Sequence, residues 1–554
     1  MRNIWVRGLV GISVLAGVLV GAGTADGGVS AATSTPGTAA AAPAAGEVIT
    51  FHCAFDSTCP EVMVSGDPYA TLGGGPAPYR GYGDPSLEFD PDTGDLWLSY
   101  SWLDVLVSEP GPPPVADFGV RTHLARSSDG GQTFTFVRAV NQTSPITHPD
   151  SGASGWTIHE VSTIAREGPG AWQSLWLTYF DPFGSPPPGT DHRSDFYYAR
   201  SVAGSPQGLG DAATPWVRTN GTSASWGVVH NLSAIPELGD CSALTEPALF
   251  SQGGETYLAT NCVVFVDGVR REDQERLALL RQEANGYSYA GELVDYADAV
   301  GLGGTRLEQA DLALAENGAV LLIVTPIQAS EPNHLGCVVL EVSDIMTAQV
   351  RREASGAPVE LARITGEDAN IGAGLCTYDA ASQTGVLMVL HDLTPTPFDL
   401  VFSVRATGVH PNGLDSDGDG AADSVDADDD GDGFEDTLEG YIGTGELNRC
   451  ADTAAADDEA DDGWGADFDD DQYLNVGDFN SFVFPLREDG SYNKFGHAVP
   501  DPQDSAIARW DLSPGGGIGI ADLNAISPAV TASTARPPMF GGTPAFGQTC
   551  AWLP

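Results

Sequence analysis

Residues 84–102 read DPSLEFDPDTGDLWLSYSW, two runs of alternating apolar side chains around the turn Pro91-Asp92-Thr93-Gly94. Alternation with a period of two marks half-buried strands, and the aromatic second run suits a pleated sheet. The turn residues tolerate the backbone conformations that a tight hairpin needs. The same unit recurs as His159-EVSTIAREGPGAWQSLWLTYF, Thr245-EPALFSQGGETYLATNCVV, Gln309-ADLALAENGAVLLIVTP and Gly372-AGLCTYDAASQTGVLMVLHDL. Further strand-like runs follow each copy, as RTHLARSS and TFTFVRAV follow the first. Four-stranded units repeated along one chain predict a mainly β fold over residues 48–410, a five- or six-bladed β-propeller. A pair of β-sandwiches is the alternative.

The rest of the chain frames this body. The start MRNIWVRGLVGISVLAGVLVGAGTADG carries Arg2 and Arg7, an apolar run from Gly8 to Ala22, and small residues at Gly23-Thr24-Ala25. That order predicts a signal peptide over 1–25 and a secreted or cell-surface protein with no membrane span after cleavage; an uncleaved membrane anchor is the alternative, for which the apolar run is short. Residues 26–47 are Ala, Thr, Gly and Pro with nothing to bury, a linker. The formal net charge of −52 over 554 residues excludes nucleic acid as a partner and favours hard cations. An even count of 8 cysteines in an exported chain predicts disulfides. Proximity suggests Cys53–Cys59, Cys241–Cys262, Cys337–Cys376 and Cys450–Cys550, among many possible pairings.

Much of the charge lies in Asp415–Glu439, DSDGDGAADSVDADDDGDGFEDTLE. Carboxylates at alternate positions with glycine between them match a twelve-residue calcium loop. Asp428, Asp430 and Asp432 fall at positions 1, 3 and 5, the Phe434 carbonyl at 7, Asp436 at 9 and Glu439 at 12. The same register fits Asp415, Asp417, Asp419, the Ala421 carbonyl, Asp423 and Asp426. A third loop offers Asp467, Asp469, Asp471, the Tyr473 carbonyl, Asn475 and Asp478, with Phe479, Phe482 and Val483 opening a helix. Residues Asp511 to Asp522 repeat it with Gly515 and Gly519 in ligand positions, so weak binding or none is expected there. Calcium is the cofactor these spacings predict.

Three stretches resemble known families. Ser127-Ser128-Asp129-Gly130-Gly131-Gln132-Thr133-Phe134 resembles the Asp-box of sialidase-like propellers, and Tyr198 to Trp216 resembles an expanded copy. Residues 411–448 are similar to thrombospondin type 3 calcium repeats. Residues 449–554 look like a type I dockerin, a small module of calcium loops and helices, although Gln472 replaces the family's glycine. The dockerin resemblance implies a cohesin-like or cell-surface partner, and the sialidase resemblance a glycan. Sialidases carry Arg-Ile-Pro on the opening strand, where this chain has Tyr82-Gly83-Asp84-Pro85; Arg80 is out of register. No catalytic residue is therefore assigned, although Glu160 and Glu246 stand where they would face a central axis. His159-Glu160 and His391-Asp392 read as surface or strand-end pairs.

Two functions follow as expectations. The favoured one is a secreted calcium-binding protein whose propeller recognises extracellular ligands such as glycans. The alternative is a sialidase-like glycoside hydrolase. An enzyme requires an arginine cluster or a close carboxylate pair converging on one axial pocket, which a binding module does not.

Overall fold

The computed structural model describes residues 48–54, 59–72, 75–76, 79–106, 117–141, 144–148, 152–182, 196–210, 216–219, 228–328, 333–366, 372–393, 400–416, 421–430, 435–447, 510–513 and 518–522. The chain divides into two units, Met1–Gly413 and Leu414–Pro554.

The first unit is a propeller of five blades, each an antiparallel run of strands. Blade I comprises Gly83–Asp90, Asp95–Leu106, Asp117–Ser127 and Phe134–Ala139. Blade II is built on Ser154–Gly168, Ala171–Pro182, Phe196–Ala203 and Trp216–Arg218, and blade III on Ala243–Gln252, Glu255–Val263, Arg276–Glu283 and Gly286–Asp295. Blade IV holds Arg306–Leu314, Val320–Gln328, Cys337–Asp344 and Glu360–Gly366. Blade V pairs Gly372–Thr377, Leu387–Leu393 and Leu400–Ala406, and its fourth strand is Tyr79–Gly81, laid parallel from the far end of the chain. The first strand of each blade packs on that of the next, I on II, II on III, III on IV, IV on V and V on I, so the ring closes. Each recurrent unit in the sequence is the first two strands of one blade.

The five first strands share a backbone defect. Each breaks register with its partner at the equivalent place. At that break stands a non-glycine residue of positive φ: Asp84 (49°), Val161 (50°), Glu246 (51°), Gln309 (25°) and Leu375 (54°). Such bulges leave N–H groups along the inner edge without a ladder partner, and side chains from the adjoining blade supply acceptors. Ser86 Oγ accepts from Ile164 N at 3.3 Å, and Thr163 Oγ1 from Leu249 N at 2.9 Å. Asp311 Oδ2 accepts from Tyr378 N at 3.4 Å, and Thr377 Oγ1 from Leu87 N at 2.9 Å. Each acceptor lies two residues after the left-handed position and each donor three after it. Blade III carries Ala248 there, which has no side chain to accept with. The joint between blades V and I has a second bond, Phe89 N to Asp379 Oδ2 at 2.8 Å.

Between the sheets lie buried Trp97, Trp102, Trp172 and Trp176 with Leu, Val and Phe from facing blades. Three disulfides, Cys53–Cys59, Cys241–Cys262 and Cys337–Cys376, match the sequence pairing, the last tying blade IV to blade V. Cys450 and Cys550 lie outside the described residues.

The turn Ser127–Phe134 joins the outer two strands of blade I. Asp129 caps it, accepting from Thr133 N at 3.0 Å and from Ser127 Oγ at 2.7 Å, while Gly130 and Gly131 take φ of 72° and 89° and Phe134 is buried. Among the described residues, no helix is long and apolar enough to cross a membrane.

In the second unit, two hydrogen bonds repeat at an offset of thirteen positions. Asp423 N donates to Leu414 O at 2.8 Å, and Asp436 N to Ala427 O at 3.0 Å. Asp423 Oδ1 accepts from Ser416 N at 2.8 Å, and Asp436 Oδ1 from Asp429 N at 2.9 Å. A helix spans Asp436–Ile442 and ends at Gly443 with φ of 87°. It begins inside the second loop, three residues before Glu439.

Candidate functional site

The bulges re-aim side chains at one end of the propeller axis. In blades I and III the left-handed residue is itself acidic, Asp84 and Glu246. In blades II and IV the residue before it is, Glu160 and Glu308. Blade V offers Gly374 and Leu375, leaving that side of the mouth without a carboxylate. A left-handed non-glycine residue costs on the order of 1 kcal/mol or more, so five at equivalent places are strain that the ring holds in common.

Four carboxylates thus meet within electrostatic reach. Glu160, Glu246 and Glu308 are 6 %, 4 % and 6 % exposed, whereas Asp84 keeps a larger opening to solvent. Burial raises Glu246 well above the usual range, and the charges of Asp84, Glu308 and Glu160 add to it, against Arg270. Burial and then the charge of Asp84 raise Glu160 likewise, against a hydrogen bond from Tyr179. Asp84 is pushed up to about 6, by burial first and then by Glu308, against a hydrogen bond from Ser101 and the influence of His334. Glu308 goes the other way. Burial alone would raise it, but His334, Arg306 and Arg270 hold it down at about 2.

The geometry around Glu308 explains the contrast. Arg306 Nε and Nη2 both donate to Glu308 Oε1, at 3.0 and 2.6 Å. His334 Nε2 lies 3.7 Å from Oε2, brought there by the short strand Asn333–Leu335 between blades IV and V. Arg306 Nη1 also reaches Glu272 Oε1 at 3.3 Å, and Arg270 binds both oxygens of Glu275 at 2.6 and 2.8 Å. Both arginines are committed to carboxylates, and they do not form a cluster around an open anion pocket.

Two further polar atoms face inward. Glu160 Oε1 and Gln309 Oε1 are buried with no hydrogen-bond partner among the described residues. His159, read from sequence as a surface or strand-end residue, is instead buried within its strand. Its Nδ1 lies 2.9 Å from Thr178 Oγ1 and takes the Trp176 indole N–H at 3.3 Å, and burial lowers its pKa to about 4. The central β-strand position leaves it no solvent face.

Glu160 and Glu246, singled out in the sequence, do come together. Asp84 and Glu308 were not assigned. Asp84 lies in Tyr82-Gly83-Asp84-Pro85, where sialidases carry Arg-Ile-Pro, and Glu308 lies one residue before the recurrent unit that starts at Gln309.

The predicted calcium ligands lie in the second unit. Asp415, Ala421, Asp423, Asp426, Asp428, Asp430, Asp436 and Glu439 are described; Asp417, Asp419, Asp432, Phe434, Asp467, Asp469, Asp471, Tyr473, Asn475 and Asp478 lie outside the described residues. Asp430 and Glu439 are 1 % and 0 % exposed. Glu439 Oε1 accepts from Thr444 Oγ1 at 3.3 Å, and Oε2 is buried without a hydrogen-bond partner among the described residues. Burial, then Asp430, Asp436 and Asp428, push Glu439 up to about 8. A carboxylate so placed needs a proton or a cation. In the last loop, Asp511 and Asp522 are both fully buried, with Tyr441 donating to Asp511 Oδ2 at 2.9 Å.

No family model and no curated protein matches this chain. Solved structures do. An α-L-arabinofuranosidase from Lactobacillus brevis is 12 % identical, covering 59 % of this chain and 91 % of its own, with a TM-score of 0.35. An arabinanase from Bacillus subtilis is 13 % identical over 59 % of this chain and 95 % of its own, at 0.32. An exo-β-1,3-galactanase from Phanerochaete chrysosporium is 12 % identical over 62 % and 63 %, at 0.31. Likenesses this distant carry no argument for the site; the propeller rests on its own ring of five blades.

Proposed function

We propose that the propeller is a glycoside hydrolase acting at the axial mouth. One observation carries this reading: Asp84, Glu160 and Glu246 converge from three blades with their pKa values raised, beside an ionised fourth carboxylate. Environments that push neighbouring carboxyls apart separate an acid from a base. Glu246, desolvated among like charges, keeps its proton at neutral pH and donates it to the glycosidic oxygen as the bond breaks. Asp84, more exposed and titrating near 6, is ionised at neutral pH and serves the anomeric carbon, either by taking a proton from water or by direct attack. Glu160 supplies Oε1, buried with no hydrogen-bond partner among the described residues, as an acceptor for a sugar hydroxyl. This arrangement meets the requirement for a carboxylate pair and disfavours a purely recognising propeller. It also argues against sialic acid, because among the described residues no arginine cluster waits for a substrate carboxylate.

The test is hydrolysis of a panel of aryl glycosides and plant and microbial polysaccharides by the full chain, with Glu246→Gln as control. Release of sugar by the parent and not by the variant supports the reading; no release from any substrate removes it.

We further propose that Asp415–Glu439 binds calcium outside the cell. The support is the repeated hydrogen-bond pattern and the buried, unpartnered oxygen of Glu439. Asp428, Asp430, Asp436 and Glu439 would hold the ion, whose charge would replace the proton on Glu439.

A further inference from the structure

Of the bulge residues in the five first strands, Gln309 is the polar one to which the mechanism above gives no role. It belongs to blade IV, has φ of 25°, and is skipped by the strand ladder between Glu308 and Ala310. The residues in the equivalent place in blades I and III are Asp84 and Glu246. Gln309 is thus a neutral amide where those blades send a carboxylate to the mouth. Its Nε2 donates to the Pro85 carbonyl of blade I at 3.3 Å. Blades IV and I are not neighbours in the ring, because blade V stands between them. The side chain therefore reaches across the axial space, past the side where blade V presents Gly374 and Leu375. The same bond fixes which way the amide faces. A carbonyl oxygen only accepts, so the NH2 group meets Pro85 and Oε1 is turned away from it. The residue is 5 % exposed, and Oε1 has no hydrogen-bond partner among the described residues.

We infer that Gln309 contacts the substrate: its Oε1 accepts a hydrogen bond from a hydroxyl of a neutral sugar seated in the mouth. The inference deepens the hydrolase reading and rests on it for what the contact serves. A buried acceptor left unpaired is costly, and a ligand that brings a donor to it removes that cost. Sugar hydroxyls donate, whereas a carboxylate brings acceptors alone. Asp84, Glu160, Glu246 and Glu308 surround the place, and a uronic acid would add a fifth carboxylate to theirs. The sugar that supplies this hydroxyl is therefore neutral, and Gln309 helps to select it. Pro85 holds the amide in place beforehand, so little order is lost when the sugar arrives.

The test is binding to the full chain, read by ligand-observed NMR. The probes are D-glucose, D-galactose, D-xylose and L-arabinose, the uronates of the first two, and monodeoxy analogues of the neutral sugar that binds best. A neutral sugar should bind, and glucuronate and galacturonate more weakly than their parents. One monodeoxy analogue should lose about tenfold in affinity. Gln309→Met should cost the complete sugar a similar factor and that analogue nothing further, the coupling expected of a direct contact. Additive losses, which a glutamine that only braces Pro85 would give, overturn the inference. So does a uronate bound as tightly as its neutral parent, or a chain that binds no neutral sugar. Should Gln309→Met not fold, Gln309→Asn withdraws the acceptor by one carbon and is read in the same way. Turnover separates the two readings. Coupled binding in a chain that hydrolyses nothing keeps the contact and removes the hydrolase. Hydrolysis with kcat/KM unchanged in Gln309→Met removes the contact and keeps the hydrolase.

Discussion

The mouth of the propeller and the acidic segment of the second unit both take carboxylates out of water, by opposite means. At the mouth, four carboxylates come from strands separated by about sixty to ninety residues each, and a shared bulge turns them to one point. In Asp415–Glu439 they come from neighbouring positions of one segment, placed by a thirteen-residue rhythm. The first arrangement is held rigidly by a ring of sheets, and its charges are balanced by protons and by two arginines. The second has no cationic side chain of its own and is left with excess negative charge. Like charges with a proton to share suit acid–base chemistry; a cage with unspent charge suits a metal ion.

The sharpest way to break the comparison is at the acid. Glu246→Gln should lower the rate of glycoside hydrolysis by roughly 10²–10⁴-fold, with the thermal midpoint of the propeller unchanged or higher, because a neutral amide replaces a buried acid. Full activity in the variant would end the assignment. Calcium comes next. Titration calorimetry of the full chain should show binding in the range of about 10⁻³ to 10⁻⁷ M, lost from one site when Asp430 and Glu439 are both changed to Ala, with hydrolysis unaffected. Heat unchanged by that double substitution would place the ion elsewhere.

The two regions should also differ in pH dependence. For Glu439, the folded value of about 8 lies above the ordinary 4.5, so the metal-free fold binds more protons than the unfolded chain between them. Its contribution is complete below pH 4.5 and is lost as pH rises through about 8. Calcium should abolish that loss, and its affinity should rise with pH as the proton is displaced. Asp84 has the same sign over a lower window, from 3.8 to about 6, and calcium should not alter it. Denaturation midpoints from pH 4 to 9, with and without calcium, check both. The smallest effect belongs to the blade joints. Thr377→Val strands the Leu87 N–H and should cost about 1–3 kcal/mol of propeller stability, measurable by denaturant titration.

How much of this could be read from the sequence follows from the same contrast. Hairpins such as Asp84–Trp102 announce themselves through local alternation and turn chemistry, and all five first strands were found that way. The acidic segment is equally local. The axial ring is not. Its left-handed positions are filled by Asp84, Val161, Glu246, Gln309 and Leu375, five residue types with no common chemistry, because the bulge is imposed by ring closure. The acidic residues flanking them therefore looked like any others in a chain of net charge −52. Glu308 needed His334 to make sense, and that residue arrives from a short strand with no periodic signal. The burial of His159 was masked by its acidic neighbour.

Blade V has a consequence for how the chain is made. Its fourth strand, Tyr79–Gly81, emerges early in synthesis, yet the strand it pairs with, Leu400–Ala406, comes more than three hundred residues later. Until then the early strand has no sheet to join and blade V does not exist. Non-local pairing of this kind slows folding and leaves strand edges uncovered meanwhile. The nascent chain must carry four blades through that interval unclosed, with its first and last joints both waiting on one event.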